Sequence, residues 1–298
     1  MSAPTQTAPV AAAPRADASG AAPGRRRRIS LTGAAATVSA VVLALLWLLP
    51  LVWALLTSLK PEAEATAVPI RWLPVEPTIE AYRLVIARGD IQQWLINSTV
   101  ISILVTALTL VLCAMAAYAF SRTEFRGRNA LLLLFIAGIM VPPQVLIVPL
   151  FDQMRLLGMV DTYWGVALPQ VVAPVMIFIL KRFFDAIPRD YLEAAHLDGA
   201  GHLRVLTSVV LPMSGPILAA VGIFTFVQAW NNFLWPFVVT TDPGLMTVPV
   251  GLGSVQGAYG IQYAQQMAAA VLGAAPLIAV FMVFQRQIVR GVTDAGLK

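Results

Sequence analysis

No charged residue occurs from Ile29 to Leu59. A helix needs about 20 consecutive apolar residues to cross a hydrocarbon core, so this run is more than one full crossing. The rest of the chain agrees: 58% of its 298 residues are hydrophobic and 12% are charged, against roughly 45–50% and 25% in soluble domains. The run is also too long for a signal peptide, whose apolar core is about 7–15 residues, and no small-x-small cleavage site convincingly precedes Lys60. These features specify an all-α integral membrane protein with a retained first span.

Six uncharged runs have spanning length, at about 31–57, 95–119, 130–151, 164–180, 206–229 and 268–285. A seventh candidate, 245–266, holds Gln256, Gln262, Gln265 and Gln266 among four glycines. Hydrocarbon penalises such residues, so it is expected outside the membrane. Residues 1–28 read as a disordered cytoplasmic tail, since Ala, Pro, Ser, Gly and Thr dominate the stretch before Arg25 and cannot bury a core. Residues 29–298 then form one transmembrane domain.

Basic residues set the direction of the spans. With the N-terminus inside, fifteen of the twenty Lys and Arg fall on inner segments, including Arg25–Arg28, Arg122, Arg126, Arg128, Lys181 and Arg182. Both termini are therefore expected in the cytoplasm. The net charge of +5 lies on these flanks and forms no basic stripe interleaved with aromatics, which argues against nucleic acid. The lone Cys113 allows neither an intrachain disulfide nor a cysteine metal cluster.

Prolines interrupt several spans: Pro142, Pro143 and Pro149 in the third, Pro169 and Pro174 in the fourth, Pro212 and Pro216 at the fifth, Pro276 in the sixth. Proline removes a helix hydrogen bond and clashes with the preceding turn. Broken helices at membrane depth usually face protein or a water-filled cavity, so a translocation-type interior is expected.

The inner loop at about 184–205 is unlike a solubilising linker. Its sequence FFDAIPRDYLEAAHLDGAGHLR reads as a short helix entered through Pro188, with Asp185 and Asp190 near its N-terminal end, where negative charge is favoured. Arg189 and Glu193 lie four apart. Ala194 and Ala195 give a closely approachable surface, and Gly199 and Gly201 allow a sharp turn into a second short helix. Two short helices joined at a bend make a knob.

Glu193-Ala194-Ala195, Gly199 three residues on, Val209 nine further and Leu211-Pro212 resemble the EAA loop of ABC-importer permeases, EAA-x3-G-x9-I-x-L-P. VPPQVLIVPLF (141–151), DTYWGVALP (161–169), WNNFLWPF (230–237), TVPVGL (247–252) and QRQIVRGVTDAGLK (285–298) extend the likeness over about 31–298. It is most similar to the second membrane subunit of carbohydrate systems such as those for maltose and glycerol phosphate. The departures are Val209 for Ile, Leu206 where many members have Phe, and the ending Asp294-Ala295-Gly296-Leu297-Lys298.

The resemblance implies a type I importer fold of six helices. It implies a multi-pass subunit of the bacterial cytoplasmic membrane that imports a sugar or sugar-like solute. Its partners would be a second permease, two ABC ATPases and an extracytoplasmic solute-binding protein. It also implies that Glu193, Ala194, Ala195, Asp198 and Gly199 contact an ATPase and couple its closure to alternating access. ATP and Mg would sit on that partner, and this chain would carry no cofactor and no catalytic residue. The residues agree: a phosphate loop needs Gly-Lys before Ser or Thr, whereas Lys60, Lys181 and Lys298 each follow a leucine.

Other features carry less. His196 and His202 are six apart across glycines, not the i, i+4 pair of a helical zinc site, so no metal is expected. Trp230, Asn231 and Asn232 could line the solute path, through aromatic stacking and amide hydrogen bonds. The 230–267 loop is expected outside, reaching a docked binding protein. A stand-alone secondary transporter is the alternative function, but it would need a mid-span ionisable group, and none occurs. No nucleophile–base or metal constellation suggests a membrane-embedded hydrolase.

Overall fold

The computed structural model describes residues 31–254 and 262–296, and every described element is helical or irregular. The 1–28 tail, the end at 297–298 and Gln256 lie outside the described residues. The chain divides into two compact units at Leu49/Pro50. The first contains the opening part of α1 (Leu31–Ser58), where Val38, Leu45 and Trp47 are exposed, as a membrane-facing helix would be.

The second unit carries the rest. After α1 come α2 (Glu62–Ala65), α3 (Glu80–Arg88) and the 33-residue α4 (Asp90–Arg122). Next are α5 (Arg128–Gly138), a 3-10 turn at Pro143–Leu146, and α6 (Ile147–Leu156). Then come α7 (Tyr163–Val171) and α8 (Pro174–Asp185), followed by α9 (Arg189–Leu197) and α10 (His202–Val205). A π-helical turn at Leu206–Val210 leads into α11 (Leu211–Met213) and α12 (Gly215–Trp230). Last are α13 (Leu234–Val239), α14 (Val248–Ser254) and α15 (Tyr263–Gly296).

Three described helices, in α1, α4 and α15, are long and apolar enough to cross a membrane, and up to six spans result if each bent pair counts as one. The pairs bend by 95° between α5 and the helix from Pro143, 49° between α7 and α8, and 84° before α12. Each break has a proline at the first or second position of the following helix: Pro143, Pro174 and Pro216. That is where proline's fixed φ and missing N–H are tolerated. By contrast Pro50, Pro169 and Pro276 lie inside helices. Within 245–266 the described residues form the seven-residue α14 and the start of α15.

α4 is the spine of this unit. Ile91 and Trp94 belong to one buried cluster, Ile101 and Val105 to a second, and Cys113 to Phe120 supply a third. It contains no Pro or Gly, so nothing interrupts its hydrogen-bond ladder. At Gly251 of α14 a side chain is excluded: a Cβ there would lie 2.2 Å from Trp94 Cδ2.

Candidate functional site

The knob is a real structural element. α9 begins immediately after Pro188 (φ −56°) and is rooted by Leu192, which is buried with Phe184, Ile187, Val205 and Val210. Its end is a Schellman motif: the Ala200 N–H donates to the Ala195 carbonyl at 2.9 Å and the Gly199 N–H to the His196 carbonyl at 3.0 Å. The residue between them must be left-handed, and Gly199 has φ +79°. No atom lies within 4 Å of where its Cβ would be. Glycine is required here by backbone conformation, with no close approach within the chain.

Glu193, Ala194, Asp198 and Gly199 are exposed together on this protrusion, whereas Ala195 is half-buried against the cluster beneath. Only part of the alanine surface expected from sequence therefore faces outward. The knob also presents Leu197 at 89% exposure, with Tyr191 and Leu203. Sequence reasoning passed over these three; the available signal was large apolar residues inside a polar loop.

Three local expectations are corrected. Asp185 does not serve the N-terminus of α9. It ends α8, where Lys181 Nζ lies 2.8 Å from Oδ2 and Ser121 Oγ donates to Oδ1 at 2.7 Å. A carboxylate at a helix C-terminus is disfavoured by the dipole, and these donors offset that. Arg189 and Glu193 form no ion pair; among the described residues the pairs are Arg155–Asp152 and Lys181–Asp185. Gly201 has extended backbone, φ −73° and ψ 166°, so the turn depends on Gly199 alone.

At the other end of α12, Trp230 is only 2% exposed and its ring stacks on Phe226 at 5.8 Å. In this conformation it cannot stack on a solute. Asn231 is exposed, its amide donating to the Val227 carbonyl at 2.9 Å. Asn232 is half-buried and donates to Gln170 Oε1 at 2.8 Å, a contact that ties α12 to α7. The structure therefore leaves Asn231 the most accessible of the three.

Residues 109–294, including the whole knob, match the family described as binding-protein-dependent transport system inner membrane component. The chain belongs to that family. It is 37% identical over 263 residues to the sulfoquinovosyl glycerol transport system permease protein SmoH of Agrobacterium fabrum, covering 88% of this chain and 92% of that one. It is 34% identical to the arabinooligosaccharides transport system permease protein AraQ of Bacillus subtilis, covering 89% and 95%. In three dimensions it is similar to a chain in the crystal structure of a bacterial ABC transporter involved in alginate import. The TM-score is 0.76 at 23% identity, with 89% of this chain and 99% of that one covered. The protein is thus a multi-pass membrane permease subunit with the type I importer fold.

Within this permease, the two histidines whose spacing does not fit a helical zinc site lie side by side. The rings of His196 and His202 meet edge-on at 5.5 Å. His196 Nδ1 lies 3.0 Å from the Ala200 carbonyl oxygen, which can only accept, so Nδ1 carries the proton. His202 Nδ1 lies 3.4 Å from the Tyr118 hydroxyl on α4. The histidines buttress the Schellman turn. No group of three or more His, Cys, Asp or Glu able to hold a metal occurs among the described residues.

The π-helical turn before Pro212 was also illegible in sequence. Its wide bond runs from the Leu211 N–H to the Leu206 carbonyl. Proline sterically crowds the turn before it, and a π turn gives room at the cost of one extra residue per bond.

Proposed function

We propose that this chain is one of two permease subunits in an ATP-driven sugar importer of a bacterial cytoplasmic membrane, and that its knob docks in a cleft of a separate ABC ATPase. The reading places six spans across the bilayer with both ends inside. The distribution of Lys and Arg supports that orientation. A second permease, a pair of ATPases and an extracytoplasmic binding protein complete the assembly. ATP and Mg belong to the ATPases, in keeping with lysines that each follow leucine rather than glycine.

The observation that carries the reading is the knob itself. A nine-residue helix is rooted by buried Leu192 and stopped by left-handed Gly199, and it presents Glu193, Ala194, Leu197 and Asp198 to the outside. An apolar tip such as Leu197 is stable in a partner's pocket and costly in water, while Glu193 can take a basic side chain or backbone N–H. The sugar class is supported by relatives whose names specify sulfoquinovosyl glycerol and arabinooligosaccharides. Exposed Asn231, at the end of α12, is the residue of the solute path with free access.

The test is ATP hydrolysis by the reconstituted assembly. Gly199→Asp adds left-handed strain and a second carboxylate beside Asp198. It should abolish hydrolysis stimulated by the loaded binding protein while the permease still inserts. Hydrolysis at the wild-type level would sink the coupling assignment.

A further inference from the structure

The knob is attached to the bundle by a contact that the EAA segment does not include. Arg122, the last residue of α4, sends Nη2 to the carbonyl of Phe184 and, at 2.6 Å, to that of Ile187. One residue earlier, Ser121 Oγ donates to Asp185 Oδ1 at 2.7 Å. Three bonds thus join the final turn of α4 to residues 184–187. The Phe184 carbonyl already accepts from the Ile187 N–H at 3.2 Å; the guanidinium gives it a second donor, supplies one to the Ile187 carbonyl, and suits the dipole at the end of α8.

The link from this joint to the knob has almost no slack. Only Pro188 separates Ile187 from the first residue of α9, and its ring fixes φ. The joint also meets an element able to carry a displacement far. α4 runs unbroken for 33 residues, whereas the spans beside it are bent at prolines. At its far end Asn97 and Ser98 bond the 244–248 segment, through the Gly244 and Met246 carbonyls and the Val248 N–H.

We propose that Arg122, assisted by Ser121, is a positioning residue for transport, latching the root of the knob to the end of α4 so that displacement of the knob moves α4 as a rod. The inference rests on the coupling reading above and adds to it the mechanical path into the bundle. Without the latch, the knob docks and moves, but the 184–188 joint flexes and the far end of α4 stays still.

The experiment uses the full permease assembled with its ATPases and binding protein in nanodiscs. An environment-sensitive fluorophore is placed at Gln92→Cys, an exposed site on the far end of α4; the native Cys113 is buried. A second preparation carries Leu197→Cys for cross-linking of the knob to the ATPase. MgATP with vanadate should shift the fluorophore signal in the wild-type background. Arg122→Met keeps side-chain length but removes every donor. It should retain the cross-link and lose the signal shift, and Arg122→Lys, which keeps a cation with three donors, should restore it. Ser121→Ala should reduce the shift without abolishing it, and it carries the test should Arg122→Met fail to assemble.

A full signal shift in Arg122→Met, or in Ser121→Ala when that variant stands alone, overturns the latch. Loss of the cross-link in Arg122→Met also overturns it, by showing that the contact shapes the knob instead of transmitting from it. A wild-type assembly that neither cross-links nor responds to nucleotide overturns the coupling reading beneath it.

Discussion

Asp161 and Thr241, eighty residues apart, are joined by two hydrogen bonds: Asp161 Oδ2 accepts from the Thr241 hydroxyl and Oδ1 from its N–H, each at 2.5 Å. Oδ1 also accepts from the Asp242 N–H at 2.9 Å. Asp161 has φ +56°, a left-handed conformation that Asp tolerates better than most residues. The turn between α6 and α7 is thereby clamped to the segment after α13.

These donors hold the Asp161 carboxyl below its ordinary value, the Thr241 hydroxyl contributing most. A depressed folded-state pKa means that the clamp's stabilisation is complete above the ordinary value of 3.8 and is lost as pH falls through the depressed one. Amide-exchange protection factors at Thr241 and Asp242, taken relative to the intrinsic rate at each pH, should therefore be high near neutrality and fall only in acid, below about pH 4. Asp161→Asn should exchange faster at neutral pH and lose most of that acid response. An Asn variant with the wild-type profile would remove Asp161 as its source.

Asn97 is fully buried on α4 and uses its whole amide. It donates to the Gly244 and Met246 carbonyls at 2.9 Å each, and accepts from the Tyr163 hydroxyl at 2.7 Å and Gln93 Nε2 at 2.9 Å. Asn97→Ala orphans several groups, each costing about 1–3 kcal/mol. Tyr163→Phe loses one bond and should cost about 1 kcal/mol. Asn97→Asp replaces donors by a carboxylate facing two carbonyls and should be worst. Thermal unfolding in detergent should rank them Tyr163→Phe, Asn97→Ala, Asn97→Asp, in order of increasing loss.

Gly251 presses on Trp94, and Gly251→Ala would put a methyl group 2.2 Å from the indole. Overpacking of this kind costs about 1–3 kcal/mol. The double change with Trp94→Leu should recover part of the loss by making room. A fully additive double mutant would show that the two residues do not share this contact.

What was legible in the chain follows the range of each interaction. Spans in α1, α4 and α15 were visible because freedom from charge is local. Proline positions were visible too, but not that Pro143, Pro174 and Pro216 head new helices while Pro50, Pro169 and Pro276 stay inside old ones; packing against neighbours decides that. The knob's turn was readable at Gly199, since a left-handed stop is a local requirement. The inward turn of Ala195, the pairing of Asp185 with Ser121 and the burial of Trp230 depend on residues brought together only by the fold. Arg122 counted merely as a basic flank, because its carbonyl partners lie 62 and 65 residues away.

The left-handed Gly199 separates two causes of its importance. If conformation governs, substitutions should follow the cost of φ +79°: Asn mildest, Ala worse by about 1–2 kcal/mol, and Val worst because β-branching makes positive φ a true outlier. If contact with the ATPase governs, size should rank them instead, and Ala should be milder than Asn. Within the chain nothing lies within 4 Å of the Cβ position, so any size effect must come from the partner. Stability of the isolated permease should follow the order Gly, Asn, Ala, Val. ATP hydrolysis by the assembly should depart from that order at Asn, by falling below Ala, if the partner's cleft closes on Gly199. Both orders can be read from the same four preparations, and identical rankings would leave the conformation of the turn as the whole reason for glycine.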